Sequence, residues 1–207
     1  HLFIYGLWEI GKAWDFNNQA YKIAKSLESD FAMGYSLLCI GNFLTIEGDF
    51  KKGDDYLNQA LILFKTMEHK TCISVTNQCL AESFYKQGRY KEALSYFNKA
   101  SVIIEKIDYR MYKWGAVIGL AATRKKLGLD IDYDSVEKEM KETVKSRKLG
   151  FVDLYFKYIV FEDKEDIQKA YDDAHRILNS LDTDAKARFL NVVFYKLMMK
   201  EWEKINN

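Results

Sequence analysis

Between residues 37 and 100 the chain states one pattern twice, 40 residues apart. Ile40-Gly41-Asn42 is answered by Leu80-Ala81-Glu82, Gly48-Asp49-Phe50 by Gly88-Arg89-Tyr90, Tyr56 by Tyr96, and Asn58-Gln59-Ala60 by Asn98-Lys99-Ala100. A fixed period in the range of about 20–50 residues belongs to stacked arrays, in which each unit is one supersecondary motif and neighbouring units complete each other's core. This periodicity excludes most single-core folds.

The period reaches back to the start. Residues 13–20 align with 53–60 and 93–100, so that Phe16, Tyr56 and Tyr96 coincide, as do Asn18, Asn58 and Asn98, and Ala20, Ala60 and Ala100. Behind them Ile23, Leu63 and Ile103, then Leu27, Met67 and Ile107, continue a stripe at steps of three and four, which is an amphipathic helix. This is the second helix of each unit. The small residues Ala13, Gly53 and Ala93, and Ala20, Ala60 and Ala100 seven positions on, predict a face where another helix comes close.

A first helix is expected over 30–47, 70–87 and 110–127, each followed by a glycine: Gly48, Gly88 or Gly128. Glycine just past a helix takes the left-handed conformation at little steric cost and turns the chain into the next helix. The connectors Ser29-Asp30, His69-Lys70 and Tyr109-Arg110 leave room only for antiparallel neighbours. After Gly128 the pattern loosens. Asp134-Ser135-Val136-Glu137 reads as a capping box, opening a helix whose thin stripe of Val136, Met140 and Val144 makes it the most exposed. A hairpin follows, with a first helix over 151–161 and Ile167, Ala170, Ala174, Ile177 and Leu181 as the buried stripe of the second. One terminal helix is expected over 183–205, capped by Asp182, covering the preceding pair with Phe189, Val192, Val193, Leu197 and Met198. The units are thus 1–29 (truncated), 30–69, 70–109, 110–148 and 149–181, plus the terminal helix. Subtracting the period from residues 40–50 lands before residue 1 and on the first ten residues, and the chain opens on His1, so it reads as a fragment of one solenoid domain.

Composition agrees with helices on short turns: there is no proline in 207 residues. A charged fraction of 29% and the lack of any run of about 18 apolar residues exclude a membrane span. The net charge of +1 gives no general reason to expect nucleic acid or an anionic membrane as partner. Cys39, Cys72 and Cys79, odd in number and without paired short spacings, point to a reducing cytoplasm rather than to disulfides or zinc. They read as small apolar residues.

No nucleophile, base or metal cluster stands out, so the expectation is a protein without enzymatic activity or cofactor. His1, His69 and His175 have no ligand-type neighbours at suitable spacing and are expected to face solvent. Two basic clusters, Arg124-Lys125-Lys126 and Lys145 with Arg147-Lys148, fall in last helical turns, where cations offset the dipole. They also share one hairpin, which leaves open a role toward an anionic ligand terminus.

At Ala81, Phe84, Gly88, Tyr90, Ala93, Phe97 and Ala100 the chain resembles a tetratricopeptide repeat, and Ile40-Gly41, Leu44, Phe50, Gly53, Leu57 and Ala60 match it in the preceding copy. Its departures are the absent terminal proline and a unit of 40 residues, longer than the common form. In length it resembles the repeats of the peptide-pheromone receptors of Gram-positive bacteria and their phages, including Rap phosphatases, PlcR-type regulators and arbitrium receptors. The resemblance implies an all-α, right-handed solenoid of helical hairpins whose first helices line a concave surface. The positions resembling the ligand-facing set are Tyr35, Leu38, Asn42 and Thr45, then Val75, Gln78, Glu82 and Tyr85, then Ile118, Ala122 and Lys125. Asn42 and Gln78 can each give and accept one hydrogen bond with a peptide backbone, while Tyr35 and Tyr85 supply apolar walls with a polar tip. The implied function is a peptide- or protein-binding module of a larger cytoplasmic regulator in quorum sensing, which itself contacts neither nucleic acid nor membrane. A constitutive scaffold is the alternative, and homodimerisation through the terminal helices is a further expectation.

Overall fold

The computed structural model describes residues 10–107, 110–145 and 148–206, and among these it contains eleven α-helices and no strand. They are α1 (Ile10–Ser26), α2 (Asp30–Glu47), α3 (Phe50–Thr66), α4 (Lys70–Lys86), α5 (Tyr90–Ile107), α6 (Arg110–Lys126), α7 (Tyr133–Val144), α8 (Phe151–Phe161), α9 (Lys164–Ser180), α10 (Thr183–Phe189) and α11 (Val193–Asn206). His1 and the expected first ten residues of the truncated unit, apart from Ile10, lie outside the described residues, as do Tyr109, Arg147 and the side chain of Ala13.

Turn chemistry fixes the hairpins. Gly48, Gly88 and Gly128 have φ of 97°, 75° and 66°, the left-handed conformation their position requires. The Asp49 and Arg89 N–H groups then reach back to the carbonyls of Leu44 and Phe84 at 2.9 Å. Between units the same closure is made without glycine. Glu28 and Glu68, one period apart, take φ of 51° and 53°, and the N–H groups of Ser29 and His69 bond to Ala24 and Phe64. Ser29 and Asp49 then cap α2 and α3. His69 caps α4 by accepting the Cys72 N–H at Nδ1, so this exposed histidine has a structural task.

Within a unit the small residues lie at the tight contacts. A Cβ on Gly41 would come 2.8 Å from the Gly53 carbonyl oxygen, and Ala60, Ala81, Ala93 and Ala100 are fully buried. Ala20 departs from this pattern and is exposed, with Phe16, Ile23 and Leu27 beside it. In α3 the counterpart Ala60 is fully buried, and α2 packs along that helix. No described residue plays that part for the stripe of α1.

Two other expectations change. The cap of α7 is Asp132, which accepts the Ser135 N–H at 3.0 Å, so the helix starts before the expected box. The stretch 183–205 is two helices: Asp182 caps α10 as expected, but α10 ends at Phe189 and α11 begins at Val193. The first helices begin at residues 30, 70, 110 and 151, and α11 begins at 193, so α11 stands where the first helix of a fifth unit would stand. The short α10 fills the enlarged connector.

Along the array the first helices stack in order, α2 on α4, α4 on α6 and α6 on α8, with α3, α5, α7 and α9 outside. The last of them, α11, packs on α8 and α9 and also touches α2. Among the described residues the inner layer is therefore a closed ring of five helices. Solenoid units ordinarily contact only their neighbours, so the α11–α2 contact is an additional, long-range one.

Candidate functional site on the inner face of the ring

The inner-face positions fall into three groups. Tyr35 is 49% exposed at the N-terminal end of α2 and stacks on Phe31 at 6.4 Å, while Val75 is half-buried. Leu38, Thr45, Tyr85, Ile118 and Ala122 are buried, at 6% exposure or less. Asn42, Gln78 and Glu82 are half-buried in the middle of α2 and α4. Lys125 belongs to none of these: its ammonium pairs with Glu162 at 3.3 Å, beyond the end of α8, and lies near Tyr133. Two further residues of the basic clusters are also engaged, Lys145 with Glu142 and Lys148 with Asp173.

Ring closure causes the burial at the C-terminal ends of α2 and α4. Tyr85 meets Phe156 of α8 edge-to-face at 5.0 Å and Tyr90 at 5.3 Å. Phe156 in turn meets Phe194 of α11 at 5.2 Å. Glu201 of α11 sends its field onto the Tyr85, Tyr155 and Tyr158 phenols, and burial first, then this carboxylate among the lesser causes, raises all three. Trp114 of α6 donates to Asp153 of α8 at 2.9 Å, which fixes the neighbouring wall.

Polar groups remain beneath this aromatic cover. Gln78 donates to Glu82 at 3.0 Å, and its amide lies against Gly115 of α6, where a Cβ would meet the nitrogen at 2.3 Å. Burial pushes the Glu82 carboxyl up, opposed by the Gln78 hydrogen bond. The Asn42 Oδ1 and Gln78 Oε1 acceptors are sealed from solvent, and neither has a hydrogen-bond partner among the described residues. Such orphaned acceptors are uncommon, because an unmet buried polar group costs roughly 1–3 kcal/mol.

Lys86 is the residue that sequence reasoning missed. It is 8% exposed, donates from Nζ to the Thr45 hydroxyl at 2.9 Å and lies under the Phe194 ring at 5.3 Å. No carboxylate among the described residues forms an ion pair with it. Desolvation lowers its pKa to about 8, against the more distant fields of Glu82, Cys79 and Asp54. One signal was available, since the preceding copy has Ile46 at this place. Along the same side of α4 lie Cys79 and Cys72, both buried, and burial raises each thiol above its ordinary value. Cys39 is pushed up to about 11 by burial. These thiols are packing groups. Among the described residues no cluster of three or more potential ligands could hold a metal ion.

The architecture is that of a tetratricopeptide-like solenoid of helical hairpins. The crystal structure of a Rap protein complexed with competence and sporulation factor has the same fold, superposing with a TM-score of 0.66 at 19% identity over 98% of this chain. The chain spans 60% of the length of that protein. No family model and no curated protein matches the sequence. Among the described residues no helix is long and apolar enough to cross a membrane.

Proposed function

We infer that the chain is a peptide-binding module of a larger regulatory protein, and that its ligand lies along the inner faces of α2 and α4. The observation that carries this reading is the pair of sealed, unmet acceptors, Asn42 Oδ1 and Gln78 Oε1, on the same two helices as a buried Lys86 ammonium that has the Thr45 hydroxyl but no carboxylate as partner among the described residues. An extended peptide offers what these groups lack. Its backbone N–H groups suit the two amide oxygens, and a carboxylate, from its terminus or an acidic side chain, suits the lysine. Tyr35, Leu38, Thr45, Glu82, Tyr85 and Ile118 form the wall of that site. Lys125, tied to Glu162, is the least suited of the residues singled out by position. The Rap protein of the same fold, complexed with competence and sporulation factor, supports a ligand-binding role. The setting is a cytoplasmic regulator of the quorum-sensing kind.

The reading is tested by panning a random hexapeptide library with free carboxyl ends on the immobilised chain, in parallel with a Lys86→Met variant. Enrichment on the wild type of peptides that the variant no longer retains is expected. Failure to enrich any peptide, together with capture of folded proteins that do not compete with one another for this face, favours the constitutive scaffold.

A further inference from the structure

We propose that the contact of α11 with α2 and α4 is an autoinhibitory latch, which keeps the ring closed over the Lys86 ammonium until a ligand replaces it. The proposal rests on the peptide-binding reading for what the latch excludes, but the latch itself is a property of the ring. Two contacts make it. Val193, at the start of α11, faces the C-terminal end of α2, where a Cβ on Gly48 would lie 3.5 Å from its Cγ2. Phe194 covers the ammonium of Lys86. Beside them Arg188, in the last turn of α10, is close enough for its charge to lower the Glu47 carboxyl against the larger effect of burial.

The two sides of α11 differ in strength. Toward α9 it is held by Trp202 stacked on Tyr171 at 4.1 Å and by the Trp202 indole N–H donating to Gln168 at 3.0 Å, and toward α8 by Phe194 against Phe156 at 5.2 Å. Toward α2 it has an apolar touch at Gly48, and toward α4 a lysine that burial has stripped of solvent without giving it a counter-ion. A buried cation over an aromatic face retains some attraction, but less than a carboxylate partner would supply. Separation therefore occurs at the α2 and α4 contacts, with α11 remaining on α9. Opening exposes Lys86 to solvent or to an incoming anion, which offsets the lost apolar contact.

The native thiols read the latch without any ligand. Cys79 lies one helical heptad before Lys86 on the same side of α4, where burial raises its thiol and the Glu82 and Lys86 charges act on it in opposite directions. Cys72 lies a further heptad away, beside the His69 cap, and serves as internal control. The experiment compares iodoacetamide alkylation of Cys79 and Cys72 by peptide mass mapping in the whole chain and in Val193→Glu. That substitution suits the first turn of α11 but sets a carboxylate against Glu47 and the carbonyl end of α2. Roughly tenfold faster alkylation of Cys79, matching about 1.4 kcal/mol of lost closure, is expected, with Cys72 unchanged. Phe194→Leu, which removes the aromatic face over Lys86 together with the ring contacts to Phe156 and Tyr155 of α8 but adds no charge, should act in the same direction and guards against misfolding of the first variant. Unchanged Cys79 rates in both folded variants overturn the latch. A parallel rise at Cys72 in both overturns it as well, because the contact then merely holds the fold together. Opening without peptide binding would leave the latch standing and remove the peptide reading.

Discussion

The Phe194 ring lies over the Lys86 ammonium at 5.3 Å, joining α11 to α4 across the array. This contact makes the inner layer a ring rather than an open groove. It also gives a lysine with a titration range far below its ordinary one, since desolvation lowers Lys86 to about 8 from 10.5.

That shift has a defined sign. Below pH 8 Lys86 is charged in both folded and unfolded chains, and the folded state bears the full cost of burying it. Between pH 8 and 10.5 the unfolded chain binds more protons, so stability rises with pH and the cost vanishes above 10.5. Urea unfolding should therefore show a gain of about 1 kcal/mol from this group between pH 7 and pH 9. Lys86→Met should lose that slope relative to wild type and be at least as stable at pH 7. A slope unchanged in the variant contradicts the assignment.

Packing within a unit gives a second expectation. Ala100 is fully buried, and its carbonyl accepts the Ser74 hydroxyl at 2.9 Å. Ala100→Leu should overpack the α4–α5 contact and lose roughly 1–3 kcal/mol in urea, whereas Lys91→Leu, at an exposed place, should change little. Equal midpoints for the two variants contradict the buried face.

Glu68 occupies a left-handed position with φ of 53° that glycine takes elsewhere in the array. Glu68→Gly should raise the thermal midpoint, by about 1 kcal/mol of relieved strain less what the added freedom of the unfolded chain removes. A loss of stability would mean that the glutamate side chain contributes more than its backbone costs.

The repeat made the helical hairpins, the glycine turns and the small-residue contacts legible, because each depends on residues close in sequence and recurs. The turns at Glu28 and Glu68 were not legible as left-handed, since glutamate carries no such signal. Ala20 was read as buried by analogy with Ala60 and Ala100, but burial needs a partner helix, which a residue's own sequence does not supply. The inner-face positions followed from spacing and family resemblance, yet their burial did not. Leu38, Thr45, Tyr85 and Ile118 are packed, with Tyr85 and Thr45 at the ends where α8 and α11 close the ring. That closure joins non-neighbouring units and has no periodic signature. The break between α10 and α11 was missed because the apolar pattern from Phe189 to Met198 runs through it.

The most direct measurement is isothermal titration of a library-selected peptide into wild type, Asn42→Ala and Gln78→Ala. Each substitution removes one of the sealed acceptors to which a peptide N–H would donate. Affinity should fall by about 1–3 kcal/mol in each variant, with the thermal midpoint nearly unchanged. Undiminished affinity in both variants contradicts a peptide held on the inner face of α2 and α4.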